Sequence, residues 1–325
     1  MRIPVVLLPV ALLASCGIFG LSTEERDRIA AHTRNALTYY EGGRFNQCLD
    51  QVRRGLEIDP ENYRLKTVRA WCYLRTTTGD RQGAEQTEKL FEEVYAMRSP
   101  EQHAPPVLIG YALIHQRFAL RHQEQVLTLR EELERAEPLE RTTKEARITE
   151  HLQLARARFQ KTEAALRVLV AREDELQLAH YHLMQTAGMQ GRYEDAIASG
   201  TKMLEINAKF QANWQQRFEQ TSDAAFESWS GMQLQQLTDL EIDVRAYLAN
   251  LHYKHGNHEA AVAELDQVLL KDPTRSDDYY NRARCLQRLG RTSDARRDYE
   301  RFLATTRLPQ GNANVTNALK AIQER

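Results

Sequence analysis

The sequence predicts an all-α protein built from paired helices, on three observations. Ala, Leu, Glu, Gln and Arg, all strong helix formers, fill long stretches, while the 325 residues hold only nine Pro and fifteen Gly. A spaced set of small residues, Gly and Leu recurs along the chain. Between the copies, apolar residues return at the three-and-four spacing of one helix face. The length predicts two or three domains or one elongated array. Charged residues at 27% and hydrophobic residues at 42% are ordinary for a folded protein and far from disorder. Removing Arg2 with the leader leaves 43 basic against 45 acidic side chains, a net charge of −2. That balance gives no electrostatic reason to expect nucleic acid. Between Asn281 and Arg325, however, ten Lys or Arg stand against four Asp or Glu. A solvated helix face and an acidic docking partner both remain open there.

The chain opens with a short positive region at Arg2 and twelve apolar residues from Ile3 to Ala14. A bilayer span needs about 20, so this reads as a cleaved export signal over residues 1–15. Leu13-Ala14-Ser15-Cys16 resembles the lipobox of bacterial lipoproteins. That resemblance implies a diacylglycerol on the Cys16 thiol, cleavage before it, and acylation of the new amine. Several acyl chains anchor a protein without a transmembrane helix. Gly17, rather than Asp, after the cysteine implies the outer membrane, facing the periplasm. Residues 16–23 form the lipidated linker. Of the other cysteines, Cys48 and Cys72 fall on neighbouring helices. Buried free thiols are the default, and an exported protein that oxidises such a pair is the alternative.

The recurrence is a small residue, Gly seven positions on, a small residue five beyond, and Leu eight further. Ala36-Gly43-Cys48-Leu56, Ala249-Gly256-Ala261-Leu269 and Ala283-Gly290-Ala295-Leu303 fit it, and Met184-Gly191-Ala196-Leu204 departs only at its first place. The Gly ends one helix of about fourteen residues with a left-handed backbone, and the small pair lets two helices approach closely. Asp59-Pro60 and Asp272-Pro273 are expected to open the following helix, with Asp as cap and Pro in the first turn. Gly256 and Gly290 lie 34 residues apart. The pattern resembles the tetratricopeptide-repeat (TPR) family over residues 24–98 and 174–309. It implies a right-handed α-solenoid of stacked helix pairs, with a repeat pair at 24–98 and an array at 174–325. The copy from Tyr63 to Met97 is degenerate, and Lys209 to Glu241 has the length of a repeat without its signature.

Residues 99–173 break the grid. Ser99-Pro100-Glu101-Gln102 looks like a capping box opening a helix. Tyr111, Ile114, Phe118, His122, Val126, Leu129 and Leu133 then trace one face, and Ile148, Leu152, Ala155, Phe159, Thr162, Leu166 and Leu169 a second. Two helices of about thirty residues, each about 45 Å long at 1.5 Å per residue, are expected as a long antiparallel hairpin interrupting the solenoid. Two fused degenerate repeats are the alternative. A last amphipathic helix, Ala313 to Glu324, is expected to cap the array.

No catalytic signature accompanies the repeats: the chain has no nucleophile elbow, phosphate-cradling loop or Cys-x-x-Cys pair, and it reads as a non-enzyme without a cofactor or metal. His252, His255 and His258 are the strongest competing signal, but Gly256 breaks the helix between them and no fourth ligand is evident. The TPR resemblance implies instead a groove lined by the first helix of each repeat. In that register the inward candidates are Tyr40, Trp71, Arg75, Tyr181, Gln185, Asn250, Tyr253, Lys254, Tyr280, Arg284 and Arg288. Tyr, Trp and Arg dominate interface energetics. The chaperone-binding TPR clamp is not expected, since Ala246 stands where its Lys would be and only Asn250 and Asn281 match. Together the two resemblances imply a membrane-anchored scaffold of the bacterial envelope, an assembly or secretion accessory factor whose partners are envelope proteins or peptides. A metal-dependent enzyme at the His252 cluster and a spacer between membrane and cell wall are the competing readings.

Overall fold

The computed structural model describes residues 21–77, 81–173, 176–221 and 223–323. The expected export signal and Cys16 lie outside the described residues. All regular structure described is helical, and the chain divides into two compact units, 1–174 and 175–325. None of the described helices is long and apolar enough to cross a membrane.

Unit 1 contains α1 (Thr23–Glu41), α2 (Phe45–Ile58), α3 (Tyr63–Thr76), α4 (Arg81–Ala96), α5 (Pro105–Glu134) and α6 (Pro138–Arg172). The first helix opens on a capping box: the Glu25 N–H donates to Ser22 Oγ, and the Ser22 N–H donates to the Glu25 carboxylate. Gly43, at φ 69°, separates α1 from α2. Ala36 and Cys48, the small residues of this pair, are both fully buried. Asp59-Pro60 does not open α3. Asp59 closes α2, its N–H bonded to the Gly55 carbonyl, and Asn62 caps α3 by accepting from the Leu65 N–H. The dipeptide therefore ends one helix two residues before the next is capped.

The long hairpin forms from α5 and α6, of 30 and 35 residues. Its start departs from expectation. Ser99 makes no side-chain cap, and Pro100–Gln102 is a single 3₁₀ turn, with α5 beginning at Pro105. The physical reason is Pro105-Pro106: a residue before proline is driven out of the α region, so no helix can run through Ala104. The predicted seam is buried at Tyr111, Ile114, Phe118, Val126 and Leu129 on α5 and at Ala155, Phe159, Thr162, Leu166 and Leu169 on α6. It loosens toward the far end, where Leu152 is exposed.

Unit 2 contains α7 (Gln177–Met189), α8 (Tyr193–Gln220), α9 (Ala224–His255), α10 (His258–Lys271), α11 (Ser276–Arg288), α12 (Thr292–Thr305) and α13 (Ala313–Gln323). Gly191, Gly256 and Gly290 all take positive φ, between 72° and 89°, and with Gly43 they are the glycines of the recurrent pattern. Asp272 again closes a helix, α10, rather than capping α11. Residues 209–241 form no separate repeat. No glycine at a turn position or proline interrupts them, so α8 runs on to Gln220 and α9 begins early, at Ala224, where Asp223 caps it. The result is a second helical hairpin longer than a repeat. The core of the last helices joins Ala283, Ala295, Tyr299 and Phe302 to Val315 and Ala318 of α13.

Packing rather than backbone conformation requires glycine at several helical positions, most tightly at Gly110. A Cβ at Gly110 would stand 2.1 Å from Phe91 Cε1, and Phe91 is fully buried against it. Gly110→Ala is expected to destabilise unit 1 by roughly 1–3 kcal/mol in a denaturant titration. Gly231→Ala, whose nearest contact would be 3.8 Å, is expected to be neutral or slightly stabilising. Equal stability of the two variants would contradict this packing.

Candidate functional site

The repeat geometry brings α9, α11 and α13 to one side of unit 2, where they line a cleft of about 480 Å³. The end of α9 supplies Tyr253. From α11 come Tyr280, Arg284, Gln287 and Arg288, one turn apart along the helix. Tyr299 of α12 reaches in, and Asn317, Lys320 and Ala321 of α13 close the side.

Fixed contacts hold the polar groups. Arg284 Nη2 donates to the Tyr253 hydroxyl at 2.9 Å, and its guanidinium sits 4.6 Å from the Tyr253 ring centroid and 5.8 Å from that of Tyr280. Burial pushes the Tyr299 hydroxyl up to about 12, so it stays protonated and donates to Gln287 Oε1 at 3.1 Å. Asn317 Nδ2 lies 3.5 Å from the Tyr280 hydroxyl.

Charge separates the cleft from the rest of the surface. It carries Arg284, Arg288 and Lys320 and no Asp or Glu among the described residues. The nearby carboxylates are engaged elsewhere. Asp298 receives both Arg282 Nε and Nη2 at 2.7 Å, Asp278 pairs with Arg275 at 2.6 Å, and Glu300 pairs with Arg296 at 3.0 Å. Asp294 binds Arg291 and Arg297. Much of the basic surplus after Asn281 is thus spent in ion pairs, while Arg284 and Arg288 stand in a lining without a carboxylate among the described residues.

Of the eleven groove candidates, Tyr253, Tyr280, Arg284 and Arg288 come together here. Asn250 and Lys254 are exposed on α9 outside the lining, and Tyr181 and Gln185 are half-buried on α7, next to His182. In unit 1, Trp71 does not line a groove. It is 1% exposed, and its indole N–H donates to the Pro106 carbonyl at 3.0 Å, because the start of α5 covers it. Tyr40 is also buried, edge-on to Phe45, while Arg75 is half-buried. Gln287, Tyr299, Asn317 and Lys320 were not among the candidates. The basic surplus was the signal pointing to them.

The three histidines do not converge among the described residues. His258 packs on Tyr253 at 5.2 Å between centroids, and His255 faces Glu194 at 3.6 Å. The cluster that does form was not foreseen. Glu88, Glu92 and His115 bring one ligand atom each within 4.8 Å of one another. Arg158 donates to Glu88, and Lys161 lies 2.5 Å from Glu92, so two side-chain cations already neutralise both carboxylates. The cluster ties α4 to α5 and α6 as a charge-compensated network.

The fold is that of tetratricopeptide repeats. The structure is similar to that of PilF from Pseudomonas aeruginosa, at a TM-score of 0.53 and 13% identity, over 91% of this chain and 99% of that one. It is also similar to the C-terminal part of a TPR repeat-containing protein from Cytophaga hutchinsonii, at 0.50 and 16%, over 89% and 84%. The bacterial transcriptional activator domain family matches residues 211–309, less than a third of the chain. No curated protein sequence matches it. At these identities the likeness establishes the all-α TPR solenoid class and nothing about ligand or partner.

Two buried histidines make stability pH-dependent. Burial, with Lys161 nearby, holds His115 down at about 4, and burial holds His182 at about 4. Unfolded chains take up these protons below the ordinary value of 6.5, but the folded units do not until about pH 4. Stability is therefore full above about pH 6.5 and falls as pH drops toward 4. His115→Gln, which keeps an acceptor for Arg158, is expected to remove roughly 2 kcal/mol of the loss in unit 1 between pH 7.5 and 4.5. Denaturation curves at the two pH values test it; an unchanged pH slope would contradict the assignment.

Proposed function

We propose that this chain is a lipid-anchored TPR scaffold of the bacterial envelope, acting as an assembly or secretion accessory factor, and that the cleft of unit 2 takes an acidic segment of a partner protein. The observation that carries the binding part is the cleft itself: Arg284 and Arg288 beside three tyrosines, with no carboxylate in the lining among the described residues. Desolvated guanidinium groups bind carboxylates in charge-assisted, often bidentate hydrogen bonds. The Tyr253–Arg284 contact orients one such group in advance, which lowers the entropy lost on binding. The anchoring part rests on Leu13-Ala14-Ser15-Cys16 and the apolar leader before it. With Cys16 acylated and the outer membrane as its address, the cleft would face the periplasm.

The chemistry is open to a direct test. A Glu-rich dodecapeptide is expected to bind the full chain, and its Gln-substituted counterpart to bind at least tenfold more weakly. Replacing Arg284 and Arg288 by Ala is expected to weaken the Glu peptide about tenfold or more and to flatten its salt dependence. Equal binding of the two peptides would remove the acidic-partner reading. Cys16→Ser is expected to move the protein from the membrane to the soluble fraction; retention on the membrane would remove the anchor.

A further inference from the structure

In unit 1, Cys48 of α2 and Cys72 of α3 face each other across the junction of the first two helix pairs. Both are 0% exposed, and their Sγ atoms lie 2.6 Å apart. Two cysteine sulfurs that face each other this closely are placed to be joined by a covalent S–S bond of about 2.05 Å. The pairing has no competitor among the described residues. They are the only cysteines described in unit 1, and Cys285 is buried in the core of unit 2. Tyr40 of α1, itself buried, lies within electrostatic reach of both sulfurs.

We infer that Cys48 and Cys72 form a structural disulfide that fastens the first TPR helix pair to the second. The chemistry is thiol–disulfide exchange with a disulfide donor, a thiol–disulfide oxidoreductase in the cell or oxidised glutathione in vitro. One cysteine thiolate attacks the donor disulfide and expels a donor thiolate, giving a mixed disulfide. The second cysteine thiolate then displaces the other donor sulfur. The Cys48–Cys72 bond forms and the donor bond breaks. The two cysteines are oxidised, the donor is reduced to two thiols, and the two cysteine protons end on those thiols. Because both sulfurs are buried, exchange takes place before α2 closes on α3, and the finished bond is shielded from reductant. The bond joins positions 24 apart in sequence, which restricts the unfolded chain. A cellular donor rests on the exported location proposed above; the geometry does not.

The test counts thiols in the full chain. Protein taken from the membrane fraction, denatured and alkylated without reductant, is expected to carry label on Cys285 alone, with Cys48 and Cys72 in one linked peptide. Refolding the reduced chain in oxidised glutathione is expected to give the same linkage. The Cys48→Ala/Cys72→Ala variant is expected to melt roughly 5–10 °C lower in unit 1, and reductant during refolding to lower the parent but not the variant. Free Cys48 and Cys72 after glutathione refolding of a folded chain would overturn the bond. Linkage in glutathione with free thiols in the cell-derived protein would support the pair and overturn the exported location instead.

Discussion

Close approach of helix backbones at each crossing is the constraint on which the rest of the structure depends. A pair of short helices hides its apolar faces only if the two can lie against each other, and only small side chains allow that at the crossing point. Ala36 with Cys48, Ala249 with Ala261, and Ala283 with Ala295 supply this, all at the centre of their pairs and all buried. The reversal between helices needs a left-handed residue, and Gly43, Gly191, Gly256 and Gly290 provide it without strain. Since each turn repeats the same geometry, alternate helices of unit 2 arrive on the same side. The cleft between α9, α11 and α13 is a consequence of that repetition rather than a separately built pocket.

Within this frame, electrostatics decide which surface is left for a partner. Arg282 bridges Asp266 and Asp298, Arg245 bridges Glu241 and Glu264, and Arg275 bridges Asp243 and Asp278, each pair spanning two helices. Half-buried pairs of this kind give modest net stability and fix the register of one helix on the next. They also consume the acidic side chains. What remains in the cleft is cationic, and its arginine is braced by tyrosine instead of carboxylate. A bracing partner without charge leaves the guanidinium able to accept an anion.

Legibility in the sequence followed how local the physical cause was. The four glycine turns and the small residues at the crossings depend on spacing alone, and they were readable. The seam of the long hairpin was readable for the same reason. Asp59-Pro60 and Asp272-Pro273 were assigned to the wrong helix, because a dipeptide in a short loop serves either neighbour and only the Asn62 cap, two residues later, settles it. Trp71 was placed in a groove because register alone points it inward; what buries it is the start of α5, some 35 residues away, whose Pro106 carbonyl accepts its indole N–H. The Glu88, Glu92 and His115 network joins three helices, and no spacing within one of them announces it. Asn317 and Lys320 were missed as cleft residues because the last helix read only as a cap.

The departures from the 34-residue grid have a common origin. Where the chain carries a turn glycine, a pair stops at repeat length; where it does not, helix formers continue and the pair lengthens beyond what its seam can cover. In α5 and α6 this leaves Leu127 and Leu139 in solvent, and in α8 and α9 it leaves Phe210, Trp229 and Met232 exposed beside the edge-on Trp214–Trp229 contact. Elongation therefore adds exposed apolar surface along both hairpins, while the grid of α10 to α13, which leaves Leu270 and Leu319 exposed, presents a polar, cationic cleft. The same repeat unit yields both lengths, and the presence or absence of one left-handed glycine separates them.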